Sequence, residues 1–295
     1  MSSLNLINLI YNVKMLKKMR FKITNYIPPI IKAVLKPIYW FIMDIYDTIK
    51  GRSKHLPRRS MIFVGDGDFI KTGEEFFNYF KEIGGLKSND KVLDIGCGIG
   101  RMSLPLTKYL FQGGEYYGFD IVKKGIDWCN NNISTSYPNF HFEHVDIYNK
   151  MYNPNGTIQS SEFKFPYDNE KFDFAFLTSV FTHMFRKDIE QYMKEISRVL
   201  KKGGRCLVTF FLINDISRAL IKKGVSTKEF IYQIDENSFS IDEKIPESAF
   251  SFNEKYIMEL FKSNSLSIQE PIYYGSWCGR KKFKSYQDII LAEKT

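Results

Sequence analysis

The chain has 295 residues, with 42 Lys and Arg against 33 Asp and Glu, a formal net charge of +9. That surplus is local: residues 1–60 carry twelve basic side chains and two acids, Asp44 and Asp47, so the other 235 residues are close to neutral. A neutral body argues against a domain that tracks nucleic acid over its whole face, and 44% hydrophobic with 16% aromatic residues excludes a disordered chain.

Residues 1–60 read as a basic amphipathic arm with a linker. Leu6 to Phe21 mixes apolar residues and Lys in a loose helical pattern, and Pro28–Pro29 ends it. Ile38, Phe41, Ile42, Ile45 and Ile49 then recur at helical spacing, with Pro37 suited to a first turn. Lys32, Lys36, Asp44 and Asp47 bracket the apolar run too closely for a spanning helix, which needs about 20 apolar residues. Lys14, Lys17, Lys18 and Arg20 follow the first apolar stretch, the wrong order for a secretory signal. The lack of acids before Asp44 fits an organellar transit peptide, while the few Arg and Ser argue against one. An apolar helical face flanked by Lys and Arg suits an interfacial membrane anchor, and equally a helix docked on the body with its lysines solvated. Gly51–Arg59, with Pro57, reads as the linker.

From residue 61 strands alternate with helices. Strands are expected at Lys91–Asp94, Tyr116–Ile121, Phe140–Ile147, Phe172–Thr178 and Arg205–Phe211, and later at Leu266–Ile268 and Asp288–Ala292. Helices are expected at Met102–Leu110, Lys123–Ile133, Lys187–Leu200 and Glu254–Phe261. This alternation predicts an α/β fold, a mostly parallel sheet with helices on both faces. Two stretches break it. Tyr148–Tyr167 is polar and reads as a surface loop, and residues 213–252 form a long insertion that suits a substrate lid. Cys97, Cys129, Cys206 and Cys278 stand alone, which argues against disulfides or a zinc site and places the chain in a reducing, cytoplasmic setting.

In an open parallel sheet ligands bind at the carboxyl ends of the strands, so the first strand–turn–helix should carry the site. It reads Val92-Leu93-Asp94-Ile95-Gly96-Cys97-Gly98-Ile99-Gly100-Arg101. The third glycine comes one position early for a dinucleotide fingerprint, which disfavours a dehydrogenase. Asp94 before the turn suits a cationic ligand better than a pyrophosphate. This Asp-x-Gly-x-Gly-x-Gly arrangement resembles the nucleotide loop of class I S-adenosylmethionine-dependent methyltransferases. Further pieces follow in order: Tyr117-Gly118-Phe119-Asp120, His144-Val145-Asp146-Ile147, Phe172-Asp173 opening the fourth strand, and Leu200-Lys201-Lys202-Gly203-Gly204 before the fifth, with Lys202 where the family has Pro.

The resemblance covers roughly residues 70–295 and implies a Rossmann-like, seven-stranded class I methyltransferase fold with S-adenosylmethionine as cofactor. It implies that Asp94, Gly96, Cys97, Gly98 and Gly100 form the donor loop, and that Asp120 with Ile121 binds the ribose. It further implies that Asp146 with Ile147 faces the adenine and that Thr178 and Ser179 lie at the methyl donor. Bland readings stand beside these: Asp120 as a helix cap, Asp146 as a turn residue, Asp173 as structural. His183, just past the fourth strand, is the candidate general base, with a structural histidine as the alternative. Asp66-Gly67-Asp68 is either a flap over the cofactor or an ordinary turn, and Tyr273–Arg280 either an aromatic substrate wall or a core turn.

The position after the fourth strand lacks an Asn/Asp-Pro-Pro-aromatic motif and a cysteine, which argues against base-amine and cytosine-C5 methylation. The expected activity is methyl transfer to a small-molecule, glycan or lipid-linked acceptor, at oxygen, with the enzyme cytoplasmic and peripheral at a membrane. The alternatives are an RNA methyltransferase that uses the basic arm, and a non-catalytic partner subunit that binds S-adenosylmethionine.

Overall fold

A computed structural model describes residues 29–49, 51, 56–65 and 67–295. The chain divides into two compact units, residues 1–64 and 65–295. The expected helix at Leu6–Phe21, residues 52–55 of the linker and Asp66 lie outside the described residues.

Among the described residues of the first unit, the helix α1 (Pro29–Ile49) is followed by a 3-10 turn at Arg59–Met61. The sequence places the start of α1 at Pro37. The helix instead begins at Pro29, where a missing N–H costs nothing, and runs through Pro37.

The second unit opens with α2 (Phe69–Glu82), capped by Asp68, whose Oδ1 accepts from the N–H groups of Ile70 (3.1 Å) and Lys71 (2.9 Å). Five parallel strands follow: β1 (Lys91–Ile95), β2 (Glu115–Asp120), β3 (Phe140–His144), β4 (Phe172–Leu177) and β5 (Leu200–Phe210). Between them lie α3 (Ser103–Leu106), α4 (Lys123–Cys129) and α5 (Arg186–Val199). The insertion holds β6 (Leu212–Ile213), α6 (Asp215–Lys222), β7 (Tyr232–Gln233), β8 (Ser238–Ser240) and β9 (Phe250–Asn253). The chain ends with α7 (Glu254–Ser263), β10 (Leu266–Tyr273) and β11 (Asp288–Lys294).

The main sheet has the order β10-β11-β5-β4-β1-β2-β3. β1 to β5 pair in parallel, and β11 joins β5 antiparallel, as β10 does β11. Strand order reverses at β1, which lies between β2 and β4, and that is where such sheets bind ligands. The central strands are buried on both faces, so they read as continuous apolar runs such as Phe-Asp-Phe-Ala-Phe-Leu. On one face Phe80 of α2 stacks on Phe176 at 4.2 Å. On the other, Leu93, Ile95, Ala175 and Leu177 pack with Ile189, Met193 and Ile196 of α5.

The insertion forms a second sheet, β6-β9-β8-β7, that the sequence pattern missed. Its core is Phe211, Ile213, Phe230, Ala249, Trp277 and Cys278. The helix expected at Met102–Leu110 contracts to the four residues of α3, and β3 stops at His144, which leaves Asp146 and Ile147 in the segment beyond it.

Candidate active site

The loop Ile95–Arg101 leaves β1 with Gly96, Gly98 and Gly100 at φ of +80°, +59° and +75°. Other residues rarely adopt such angles. A Cβ at Gly96 would lie 2.4 Å from Val180 Cγ2, and one at Gly100 would meet Ile133, Ser103 and Cys129 at about 3 Å. The N–H groups of Gly96 and Cys97 donate to the Phe119 carbonyl (2.9 and 3.0 Å), which ties the loop to the end of β2. Burial keeps the Cys97 thiol protonated, so it is a small side chain and no nucleophile.

Asp94 is 1% exposed. Its Oδ2 accepts a 2.6 Å hydrogen bond from the Tyr116 hydroxyl, while its Oδ1 has no hydrogen-bond partner among the described residues. Burial pushes its pKa up to about 8; the Tyr116 bond opposes the rise and the neighbouring Asp120 adds to it. A buried, half-satisfied carboxyl is costly, and a cation placed against it removes the cost. A sulfonium or an ammonium is such a cation, so the residues present fit S-adenosylmethionine.

Asp120 closes β2. Its Oδ2 accepts the Gly98 N–H (2.8 Å) and its Oδ1 the Val122 N–H (2.7 Å). Burial raises its pKa against the pull of these bonds. Each oxygen keeps a lone pair for a ligand hydroxyl. The same carboxylate therefore fixes the glycine loop and the turn into α4. The Val145 N–H donates to the Asp120 carbonyl, and His144 Nε2 lies 3.3 Å from the Ile121 carbonyl, which sets the chain after β3 beside the end of β2. There Asp146 is half-buried and holds Thr157 through its hydroxyl (2.7 Å) and N–H (3.2 Å), and Asn153 through Nδ2 (3.3 Å). These bonds hold its pKa below the usual range. Ile147 is buried.

After β4, Thr178 is half-buried and Ser179 takes φ +64°. A left-handed serine is strained and stays so only where its surroundings fix it. Its N–H donates to Thr209 Oγ1 (2.8 Å), and its hydroxyl accepts from Gln287 Nε2 (2.9 Å).

His183 ends the 3-10 turn Phe181–His183, and its Nδ1 lies 2.7 Å from the Glu247 carbonyl in the insertion. A carbonyl only accepts, so the proton of the neutral ring sits on Nδ1 and the lone pair on Nε2. Burial holds the His183 pKa below its ordinary value; the Glu247 carbonyl opposes this, and the Lys228 charge adds to it. Tyr152 meets the imidazole edge-on at 6.0 Å between centroids. Burial and then the Asp120 charge raise the Tyr152 pKa, so this tyrosine, in ring contact with His183, is also within electrostatic reach of Asp120.

Tyr152, Glu247 and Gln287 escape the sequence reading. The only sequence signal for Tyr152 was the cluster of Tyr148, Met151 and Tyr152 inside a polar stretch. Asp68 is the cap of α2, and its companion Asp66 lies outside the described residues. Two open expectations resolve towards structure. Asp173 is held by Lys201 Nζ (2.6 Å) and the Lys91 N–H (2.8 Å). The Tyr273–Arg280 stretch is a core turn: Trp277 is fully buried and donates from Nε1 to Asp288 Oδ2 (2.8 Å).

A glycine loop at the switch point, with carboxylates at the ends of β1 and β2, defines a class I, Rossmann-like methyltransferase fold. A family model described as a methyltransferase domain matches residues 86–264, and the chain belongs to that family. It is 25% identical over 177 residues to the sterol 24-C-methyltransferase of Kluyveromyces lactis, covering 60% of this chain and 42% of that protein. It is 30% identical over 173 residues to phosphoethanolamine N-methyltransferase 3 of Arabidopsis thaliana, covering 55% and 29%. The chain thus spans less than half the length of these relatives. The PH0226 protein from Pyrococcus horikoshii OT3 superposes with a TM-score of 0.54 at 18% identity, over 80% of this chain and 95% of that one, a likeness of fold.

Proposed function

We propose that the protein transfers a methyl group from S-adenosylmethionine to a hydroxyl of a small-molecule, glycan or lipid-linked acceptor, with His183 as general base. In this reading Asp94 faces the donor's positive charge, and Gly96, Cys97, Gly98 and Gly100 line its cradle. Asp120 and Ile121 hold the ribose. Asp146 and Ile147 border the adenine from a carboxylate that also anchors Thr157 and Asn153. Thr178 and Ser179 border the reacting end.

When bound, the donor supplies an electrophilic methyl on a sulfonium. The chain's task is to align an acceptor oxygen and exclude water. His183 Nε2 would take the proton of the acceptor hydroxyl, and the Glu247 carbonyl would stabilise the charged ring through Nδ1–H. The observation that carries this reading is the 2.7 Å contact between His183 Nδ1 and Glu247, which leaves the basic nitrogen on the other side of the ring. The relatives' names specify a carbon and a nitrogen acceptor, so the acceptor atom here is read from His183. His183→Ala should lower turnover about 10²–10⁴-fold with donor affinity kept. Near-normal turnover, measured with labelled donor, would remove His183 from catalysis.

A further inference from the structure

We infer that α1 lies flat on an anionic lipid surface, with Ile38, Phe41, Ile45 and Ile49 inserted among the lipid chains. The four side chains are 52%, 66%, 43% and 43% exposed. They follow one another at three or four residues along α1, so they form a single stripe. Met43 and Asp47 point the opposite way and are 1% and 7% exposed. An apolar stripe facing out with a polar side chain buried behind it reverses the usual order of a surface helix.

The charges single out the partner. Residues 1–60 carry twelve basic groups, and their two acids are both on α1. Both acids are bound by the turn that follows. Asp44 accepts the Arg59 N–H (2.7 Å) and the Ser60 hydroxyl (2.6 Å), and Asp47 takes the Arg59 guanidinium at 2.5 Å. The carboxylates that would repel an anionic surface are thus tied down, and the segment keeps its positive surplus. Among the described residues no helix is long and apolar enough to cross a membrane. A helix of this composition lies in the interface plane, held by apolar burial together with attraction to acidic headgroups. RNA would match the charge and leave Phe41 and Ile45 unused. A second copy would match the stripe and bring two basic segments together.

The test is co-sedimentation of the full chain with phosphatidylcholine vesicles that are one-third phosphatidylserine. The protein should pellet with them, less so at high salt, and should stay in solution with phosphatidylcholine alone. Phe41→Glu with Ile45→Glu should weaken vesicle binding at least tenfold. Arg59→Ala keeps the stripe but removes one positive charge and the ion pair to Asp47, and should weaken binding about fivefold, the effect of about one charge near an anionic surface. Circular dichroism of both variants, and the melting temperature of the stripe variant, should match the parent. Wild-type protein that ignores anionic vesicles overturns the inference, as does binding that the stripe variant leaves unchanged. So does a lipid-free dimer that the stripe variant dissociates, which would assign the stripe to a second copy.

Discussion

Asp94 is a residue whose chemistry departs far from its free form. With a pKa of about 8 it is largely protonated at neutral pH. A cationic donor placed against it favours the charged form, so binding expels a proton. Donor affinity should therefore rise with pH, by up to about tenfold per unit, and level off above about 8. Calorimetry in two buffers of different ionisation enthalpy measures the released proton directly; a flat profile with no release would take Asp94 out of the donor pocket. Asp94 and Asp120 stand out in the sequence because each sits in a short motif at the end of an apolar strand. Tyr152 and Glu247 do not. The Glu247 carbonyl reaches His183 across 64 residues, and no local pattern encodes a contact of that span.

Among the elements, the turn from β1 into α3 tolerates little change. At Gly96, φ of +80° costs a non-glycine residue about 1–2 kcal/mol, and an added Cβ would also strike Val180. Gly96→Ala should lose that stability and most donor binding. Shortening the obstacle with Val180→Ala should return the part due to the contact and leave the part due to φ, which a double-mutant cycle in urea separates. Full recovery would mean that the backbone angle is not strained. The five parallel strands were readable as apolar runs bounded by turns. The second sheet was not, because β6 and β7 have two residues each and β8 has three, too short to show a period of two. The stretch that reads as a lid thus has a core of its own, closed by Trp277 from beyond α7.

For the whole molecule, buried acids make stability depend on pH. Asp94 rises from 3.8 in the unfolded chain to about 8, and Asp288 to about 6. A carboxyl whose folded pKa is raised binds more protons in the native state. Its contribution is fully present below the unfolded pKa and is lost as pH rises through the folded one. The donor-free protein should therefore become less stable between pH 6 and 8, by about 2 kcal/mol from Asp94. Asp94→Asn retains an acceptor for Tyr116 and removes the ionisation, so urea unfolding of this variant should show a flatter profile over that window. An unchanged profile would assign the dependence to other groups.

The sequence by itself determined the fold class, the glycine loop after β1 and the split between a basic arm and a neutral body. Each of these follows from residue type and short spacing, which the chain carries before it folds. Only the tertiary structure decided which nitrogen of His183 is basic and that Trp277 belongs to a core. Only it decided that the two acids of α1 are tied to the Arg59 turn while the apolar stripe faces outward. Those outcomes depend on partners far along the chain, and burial together with hydrogen bonding selects them only once the fold has brought the partners together.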